Sequence, residues 1–141
     1  MLRTSLCVDR LLFDHLIPTP ITWLEQAGEH LPELLNDHAA CEKKAAQFAI
    51  SLTHQLINHP DILKAAMQIA REELRHYEQV IVWMQRKNIH PQIISSSRYA
   101  TGLRLARREN IPELFHKLLV AAVIEARSCE RFLKLTDYLT P

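Results

Sequence analysis

The sequence is poor in glycine and lacks a long apolar run. Only two glycines occur among 141 residues, and the seven prolines fall outside or at the ends of the periodic segments, which favours a mainly helical chain. No run approaches the roughly 18 apolar residues that cross a bilayer. A hydrophobic content of 48% argues against disorder. We therefore expect a single domain, residues 1–141, with a real core and no membrane partner.

The sequence also lacks the cysteine pattern of a disulfide framework or a zinc knuckle. Cys7, Cys41 and Cys129 are odd in number and none of them forms a CxxC pair. Residues 1–15 carry charges within their apolar part and show no signal-peptide cleavage pattern. These observations predict a cytoplasmic protein.

Charge is unevenly distributed although the net charge is only +1. Residues 11–42 contain no Lys or Arg, and residues 79–108 contain no Asp or Glu. An acid-free basic stretch of that length could bind a phosphate backbone, and the alternative is a solvated loop and helix face. The six candidates for contact with nucleic acid are Arg86, Lys87, Arg98, Arg104, Arg107 and Arg108.

Apolar residues recur in steps of three and four along three long segments, which predicts three amphipathic helices. They cover about 31–58, 61–87 and 110–135. Shorter helices are predicted at 19–28, with Thr19 as a cap, and near 97–109. Trp23 and Trp83 are predicted to lie in the core. The fold class is therefore all-α.

Each long helix carries one carboxylate on its apolar stripe, namely Glu42, Glu73 and Glu125. A buried carboxylate without a partner is costly, so three of them need a common explanation. Glu42 precedes the first hairpin by about as many residues as His76 follows it. If the linker 88–111 recrosses the bundle, Glu125 falls at the height of Glu73. All four side chains are then expected in one layer.

Such a layer is typical of a carboxylate-bridged di-iron or di-manganese site. Glu73 and His76 form a Glu-x-x-His pair, whose members share one face of a helix. The alternative is a polar core network in which the glutamates are satisfied by arginines and histidines. His38, one turn before Glu42, is a candidate hydrogen-bond partner of a ligand, although such a residue is more often a core or rim histidine.

Two other polar pairs receive simpler interpretations. Glu113 and His116 also match Glu-x-x-His, but they begin their helix, away from the layer, so we predict a cap or a surface pair. Arg127 and Glu130 are predicted to form an ordinary surface ion pair.

Three blocks resemble a known family: "DHAACEKKAA" at 37–46, "AREELRHYEQV" at 70–80 and "VIEARSCERF" at 123–132. They are similar to the bacterial tRNA hydroxylases that act on methylthio-isopentenyladenosine, known as MiaE, and "TPITWLEQA" also looks like that family. The resemblance implies a ferritin-like bundle with a non-haem di-iron centre. It implies that the iron ligands are Glu42, Glu73, His76 and Glu125.

The resemblance further implies a monooxygenase reaction on tRNA. The family hydroxylates the isopentenyl group of the modified adenosine with dioxygen and two electrons, here from an unidentified donor. An apolar pocket would accept the prenyl tail, and the basic stretch would contact tRNA phosphates.

The sequence departs from the family pattern at its C-terminal end. The family has a fourth long helix with a second Glu-x-x-His, whereas this chain stops 16 residues after Glu125. We expect a fragment or a truncated product with impaired activity. Two alternatives are a weak one-metal site without catalysis and a partner chain that supplies the missing helix. The alternative function is a non-catalytic helical bundle that binds metal or RNA.

Overall fold

Helices are the only regular secondary structure among the described residues. The computed structural model describes residues 16–94 and 98–140, in which no strand occurs. The five helices are α1 (Ile21–Glu29), α2 (Leu31–Thr53), α3 (Pro60–Arg86), α4 (Arg98–Leu105) and α5 (Glu113–Leu139). The all-α class and the three long helices are confirmed. The N-terminal stretch 1–15, with Cys7, lies outside the described residues.

The described residues fall into two units, and residues 30–94 form the first. This unit is a helical hairpin in which α2 packs along α3. Small buried side chains line the facing surfaces, and alanine allows two helix axes to approach closely. The buried apolar residues of the hairpin are Ala39, Ala46, Ala49, Leu52, Leu56, Ala66, Ala70 and Met84.

The turn between α2 and α3 is longer than the sequence pattern predicts. Helix α2 ends at Thr53, whereas the apolar periodicity extends to about residue 58. Leu56 is only 2% exposed, and its N–H and that of Gln55 both donate to the carbonyl of Leu52. The chain therefore leaves the helix early because Leu56 turns inward to close the hairpin. Pro60 then begins α3, where its missing N–H costs nothing.

Asn36 fixes the segment that follows α3. Its side-chain oxygen accepts the N–H of Gln92 at 2.6 Å, and its Nδ2 donates to the Pro32 carbonyl at 2.9 Å. Nδ2 also lies 3.4 Å from the His90 carbonyl. Asn88 has a φ of 56°, a left-handed conformation that Asn tolerates better than most residues. The chain thus turns at Asn88, and Asn36 holds the following residues against α2.

The second unit comprises the described residues 16–29 and 98–140, in which α5 contacts α1 and α4. Its main polar feature is Glu130, which is 8% exposed. The Thr19 backbone N–H donates to Oε1 at 3.0 Å, and the Thr19 hydroxyl donates to Oε2. Arg127 lies 3.0 Å from Oε2 and Lys134 lies 3.0 Å from Oε1. Arg127 also donates to the Ile17 carbonyl at 2.7 Å.

These contacts correct two sequence predictions. The Arg127–Glu130 pair exists, but its side chains are only 13% and 10% exposed, so it is not a surface pair. The Thr19 hydroxyl, predicted to cap α1, holds Glu130 across 111 residues of sequence. Burial acts to raise the pKa of Glu130, but the hydrogen bonds from Thr19, Lys134 and Arg127 outweigh it and lower that pKa to about 2.

His116 is a third correction in this unit. It is buried, at 9% exposure, and its Nε2 lies 3.1 Å from the Arg104 carbonyl. Glu113 pairs with Lys117 one turn along α5. Glu113 lies at the surface as predicted, with a side chain that is 61% exposed. The prediction of a surface pair is wrong for His116, which ties α5 to the last turn of α4.

Candidate metal centre

Three potential metal ligands converge within the helical hairpin. Glu42 comes from α2, and Glu73 and His76 come from α3. One ligand atom from each of the three lies within 4.8 Å of the others. The Nδ1 of His76 is 3.3 Å from Oε2 of Glu42 and 3.9 Å from Oε2 of Glu73. The structure therefore brings together three residues that were predicted to lie in one layer because of their distances along the chain from the turn.

The local sequence explains this convergence. Glu42 lies three residues after Ala39 and four before Ala46, both buried, so its side chain is on the face of α2 that meets α3. Glu73 likewise lies three residues after the buried Ala70. His76 follows Glu73 by three residues and shares its side of α3. Alanine at the neighbouring positions leaves space for the polar side chains.

The three side chains differ in their exposure to solvent. Glu42 and Glu73 have side chains that are 13% and 16% exposed, whereas the imidazole of His76 is 53% exposed. Two carboxylates held close together in a sheltered position repel each other and lose hydration, so they favour a cation between them. His76 stands at the open side of the group.

His38 lies behind the group on α2. Its Nδ1 is 3.2 Å from Oε1 of Glu42, whereas the Nδ1 of His76 is 3.3 Å from Oε2. Burial lowers the pKa of His38 and the nearby His76 lowers it further, although Asp37 and Glu73 act to raise it. A neutral His38 can donate one N–H to Glu42 and so fix the orientation of that carboxylate.

The donor set suits a transition metal. Two carboxylates and one imidazole provide oxygen and nitrogen ligands of the kind that iron and manganese accept. The three ligand atoms surround a space small enough for one ion to reach each of them. Glu42, Glu73 and His76 therefore fit a metal of this class.

Glu125 belongs to the other unit and is exposed there. The Sγ of Cys129 lies 3.6 Å from its Oε1. The role of Glu125 as a further ligand stays a prediction.

The basic candidates are all exposed, which is required of residues that would contact phosphate. Beside two of them stands a residue that sequence reasoning misplaced. Trp83, predicted to be core, is 40% exposed, and the Lys87 ammonium lies 5.3 Å from the centroid of its ring. A sequence signal for this exposure exists, because Arg86 and Lys87 follow Trp83 by three and four residues and so share its side of the helix end.

Comparison with known proteins shows which family the chain resembles. Residues 8–141 match the family described as tRNA-(MS[2]IO[6]A)-hydroxylase (MiaE). A relative from Pseudomonas putida KT2440, a tRNA 2-(methylsulfanyl)-N(6)-isopentenyladenosine(37) hydroxylase, is 45% identical over 123 residues, which are 86% of this chain and 60% of that protein. The Salmonella typhimurium LT2 protein of the same name is 34% identical, covering 86% and 64%.

A solved structure shows the same fold. It is described as protein 43 with aldehyde deformylating oxygenase activity from Synechococcus, with a TM-score of 0.78 and 38% sequence identity over 84% of this chain and 59% of that one. This likeness confirms the ferritin-like helical bundle. The chain spans about three fifths of the length of these relatives. Since the family match takes in nearly all of the chain, including α2 and α3 with their Glu42, Glu73 and His76, the chain belongs to the MiaE family.

Proposed function

We propose that this chain belongs to an iron-dependent monooxygenase that hydroxylates the isopentenyl group of a modified adenosine in tRNA. The convergence of Glu42, Glu73 and His76 within 4.8 Å carries the proposal, because it gives the chain a place to bind the metal such a reaction needs. The two hydroxylases at 45% and 34% identity support the substrate class. The overall reaction uses dioxygen, two electrons and two protons to convert C–H to C–OH and release water.

Each residue of the group has a distinct task in this scheme. Glu42 and Glu73 would hold the metal through carboxylate oxygens, and His76 would hold it through a ring nitrogen. His38 holds Glu42 in place through the contact at 3.2 Å. Bound iron would supply the one-electron chemistry that dioxygen requires to react with a C–H bond of the prenyl group. Glu125 is the further ligand expected from the family resemblance.

The exposed bases provide the proposed contact with tRNA. Arg86 and Lys87 end α3, and four further arginines lie on α4 and the turn after it. Such contacts position a nucleic acid through its phosphates and weaken as salt rises. Within the described residues no helix is both long and apolar enough to span a membrane. Because tRNA is the proposed substrate, we place the enzyme in the cytoplasm.

Hydroxylation of a defined RNA tests the proposal. The purified chain, loaded anaerobically with Fe(II), is mixed with an anticodon stem-loop carrying the prenylated adenosine, a chemical reductant and isotopically labelled dioxygen. Mass spectrometry of the nucleosides should detect one labelled oxygen atom in the prenyl group. Glu73→Ala should abolish both the product and bound iron, since it removes one of the converging ligand atoms.

Glu72→Ala is the matched control. Glu72 is the neighbouring acid on α3 and pairs with Gln68 along the same helix, away from the ligand group. It should leave iron content and product unchanged. Because impaired activity is expected of this chain, the product is measured in a single turnover with enzyme in excess over RNA. No labelled product under that condition would contradict the hydroxylase. If iron were still bound in a Glu73-dependent way, the non-catalytic metal-binding bundle would be the better description.

A further inference from the structure

Trp83 stands on the same side of α3 as His76. The two residues are seven positions apart, which is two helical turns and about 10 Å along the helix axis. Val80 lies between them on that side and is half-buried. Trp83 thus presents a flat aromatic ring at a fixed spacing from the open side of the candidate metal centre.

The surroundings of Trp83 are basic and exposed. The residue is 40% exposed, and the Lys87 ammonium lies over one face of the ring, 5.3 Å from its centroid. Arg86 is exposed one residue before Lys87. An exposed aromatic ring beside cations is the combination with which proteins hold single-stranded nucleic acid. The ring stacks on a base while the cations face the phosphates.

We propose that Trp83 is the stacking platform for the purine ring of the modified adenosine. The base would lie on the face of Trp83 that Lys87 does not cover. Its N6 substituent would be directed along α3, past Val80, toward the candidate metal centre. This inference rests on the proposed function and adds the subsite that orients the substrate. In it Trp83 is a positioning residue for the base, and Lys87 and Arg86 contact the flanking phosphates.

The spacing and chemistry match this occupant. A prenyl group extends several bonds beyond the edge of the purine, so an aromatic platform must stand at a distance from the metal rather than beside it. Val80 offers an apolar surface along that path. The cations beside the ring complement the negative charge of a nucleic acid. An apolar protein surface would not suit this place, because it would have to pack against two hydrated positive charges.

Base-dependent binding tests the subsite. Two end-labelled anticodon stem-loops are compared by fluorescence anisotropy, one with 2-(methylsulfanyl)-N(6)-isopentenyladenosine at position 37 and one abasic at that position. Wild type should bind the modified RNA about 10-fold more tightly than the abasic RNA, as expected for one stacked base. Trp83→Ala should bind both RNAs equally, and Trp83→Phe should keep most of the preference.

Two further variants separate stacking from other effects. Leu74 is 43% exposed and lies nine residues before Trp83, on the opposite side of α3, so Leu74→Ala should keep the full preference. Lys87→Ala should weaken both RNAs by the same factor and reduce the salt dependence, because it removes a phosphate contact. A merely structural role of Trp83 would change the two RNAs equally.

The outcomes distinguish this inference from the proposed function. If Trp83→Ala keeps the wild-type preference while the RNA is still bound and hydroxylated, the stacking platform is overturned and the hydroxylase stands. If wild type binds neither RNA, the subsite falls together with the tRNA substrate. If Trp83→Ala instead abolishes self-association seen by sedimentation and leaves RNA binding intact, the surface contacts protein and the inference is wrong.

Discussion

The chain has two carboxylate clusters, which contain similar residues but differ in their charged partners. In the second unit, Glu130 is 8% exposed and receives donors from Thr19, Arg127 and Lys134. In the helical hairpin, Glu42 faces a second carboxylate, Glu73, and two imidazoles. The first cluster balances a negative charge with two cations. The second gathers groups that share the ability to bind a metal ion.

The contrast shows how a structural carboxylate differs from a candidate ligand. Positive partners and hydrogen bonds lower the pKa of Glu130 to about 2, so its ionised form stabilises the fold. Glu42 and Glu73 lie close enough to repel each other, so their arrangement favours binding of a cation more than stability of the metal-free protein. A Glu→Gln substitution should therefore weaken metal binding in the hairpin cluster and lower stability in the Glu130 cluster.

Glu42→Gln should have the largest effect, on iron binding. The amide keeps the shape of the side chain but removes the charge that attracts the metal. Iron affinity should fall by more than the roughly 100-fold seen for outer partners of metal ligands, and product formation should cease. Stability of the metal-free protein should change little, because a sheltered charge is removed. Metal titration and thermal unfolding measure the two effects, and a large loss of apoprotein stability would contradict the comparison.

Glu130→Gln should have the reverse effect: it should destabilise the folded protein and leave iron binding unchanged. The amide turns an NH2 group toward the donors around Glu130 and leaves the sheltered Arg127 without its carboxylate. We expect a loss of about 3 kcal/mol in the free energy of unfolding. Denaturant unfolding measures this loss. Iron content per folded chain should stay at the wild-type level, and a parallel loss of iron would show that the two clusters are not separate in role.

Lowering the pH should remove the stabilisation that the Glu130 cluster gives to the folded protein. Its folded pKa, about 2, lies below the ordinary value of 4.5, so its stabilisation is complete above pH 4.5 and is lost as the pH falls toward 2. The loss amounts to at most about 3 kcal/mol. In urea unfolding across this range, the difference between wild type and Glu130→Gln should shrink toward acid pH. A constant difference would contradict the assigned pKa.

His38→Ala should have the smallest effect. It removes the contact to Oε1 of Glu42 and leaves the three converging side chains in place. Iron affinity should fall about 10- to 100-fold, as is usual for loss of a group that orients a ligand. His54→Ala, at the exposed C-cap of α2, is the control and should not alter iron affinity. Equal effects of the two substitutions would remove His38 from the centre.

Local patterns predicted much of the hairpin and its polar group. Steps of three and four residues indicated α2 and α3, and equal distances from the turn placed Glu42 beside Glu73 and His76. The contact between His38 and Glu42 follows from their separation of one helical turn. These features depend on helix geometry and a single short connection, so the sequence contains them.

Contacts between distant segments could not be predicted in this way. Thr19 meets Glu130 across 111 residues, and His116 meets the Arg104 carbonyl, a backbone group that carries no sequence signal. Trp83 was expected in the core because an aromatic residue on an apolar stripe usually packs there. Periodicity finds the stripe but does not say which part of it another element covers. For the same reason the place of Glu125 stays a prediction.

Asn36 links one backbone amide of the segment after α3 to the stability of α2. The N–H of Gln92 is bonded at 2.6 Å to a side chain that is itself buried in α2. That amide can exchange with solvent only when Asn36 releases it, so its exchange rate reports on the first half of α2, where His38 and Glu42 also lie. Hydrogen exchange at the Gln92 amide thus measures the local stability of the helix that carries the candidate ligands.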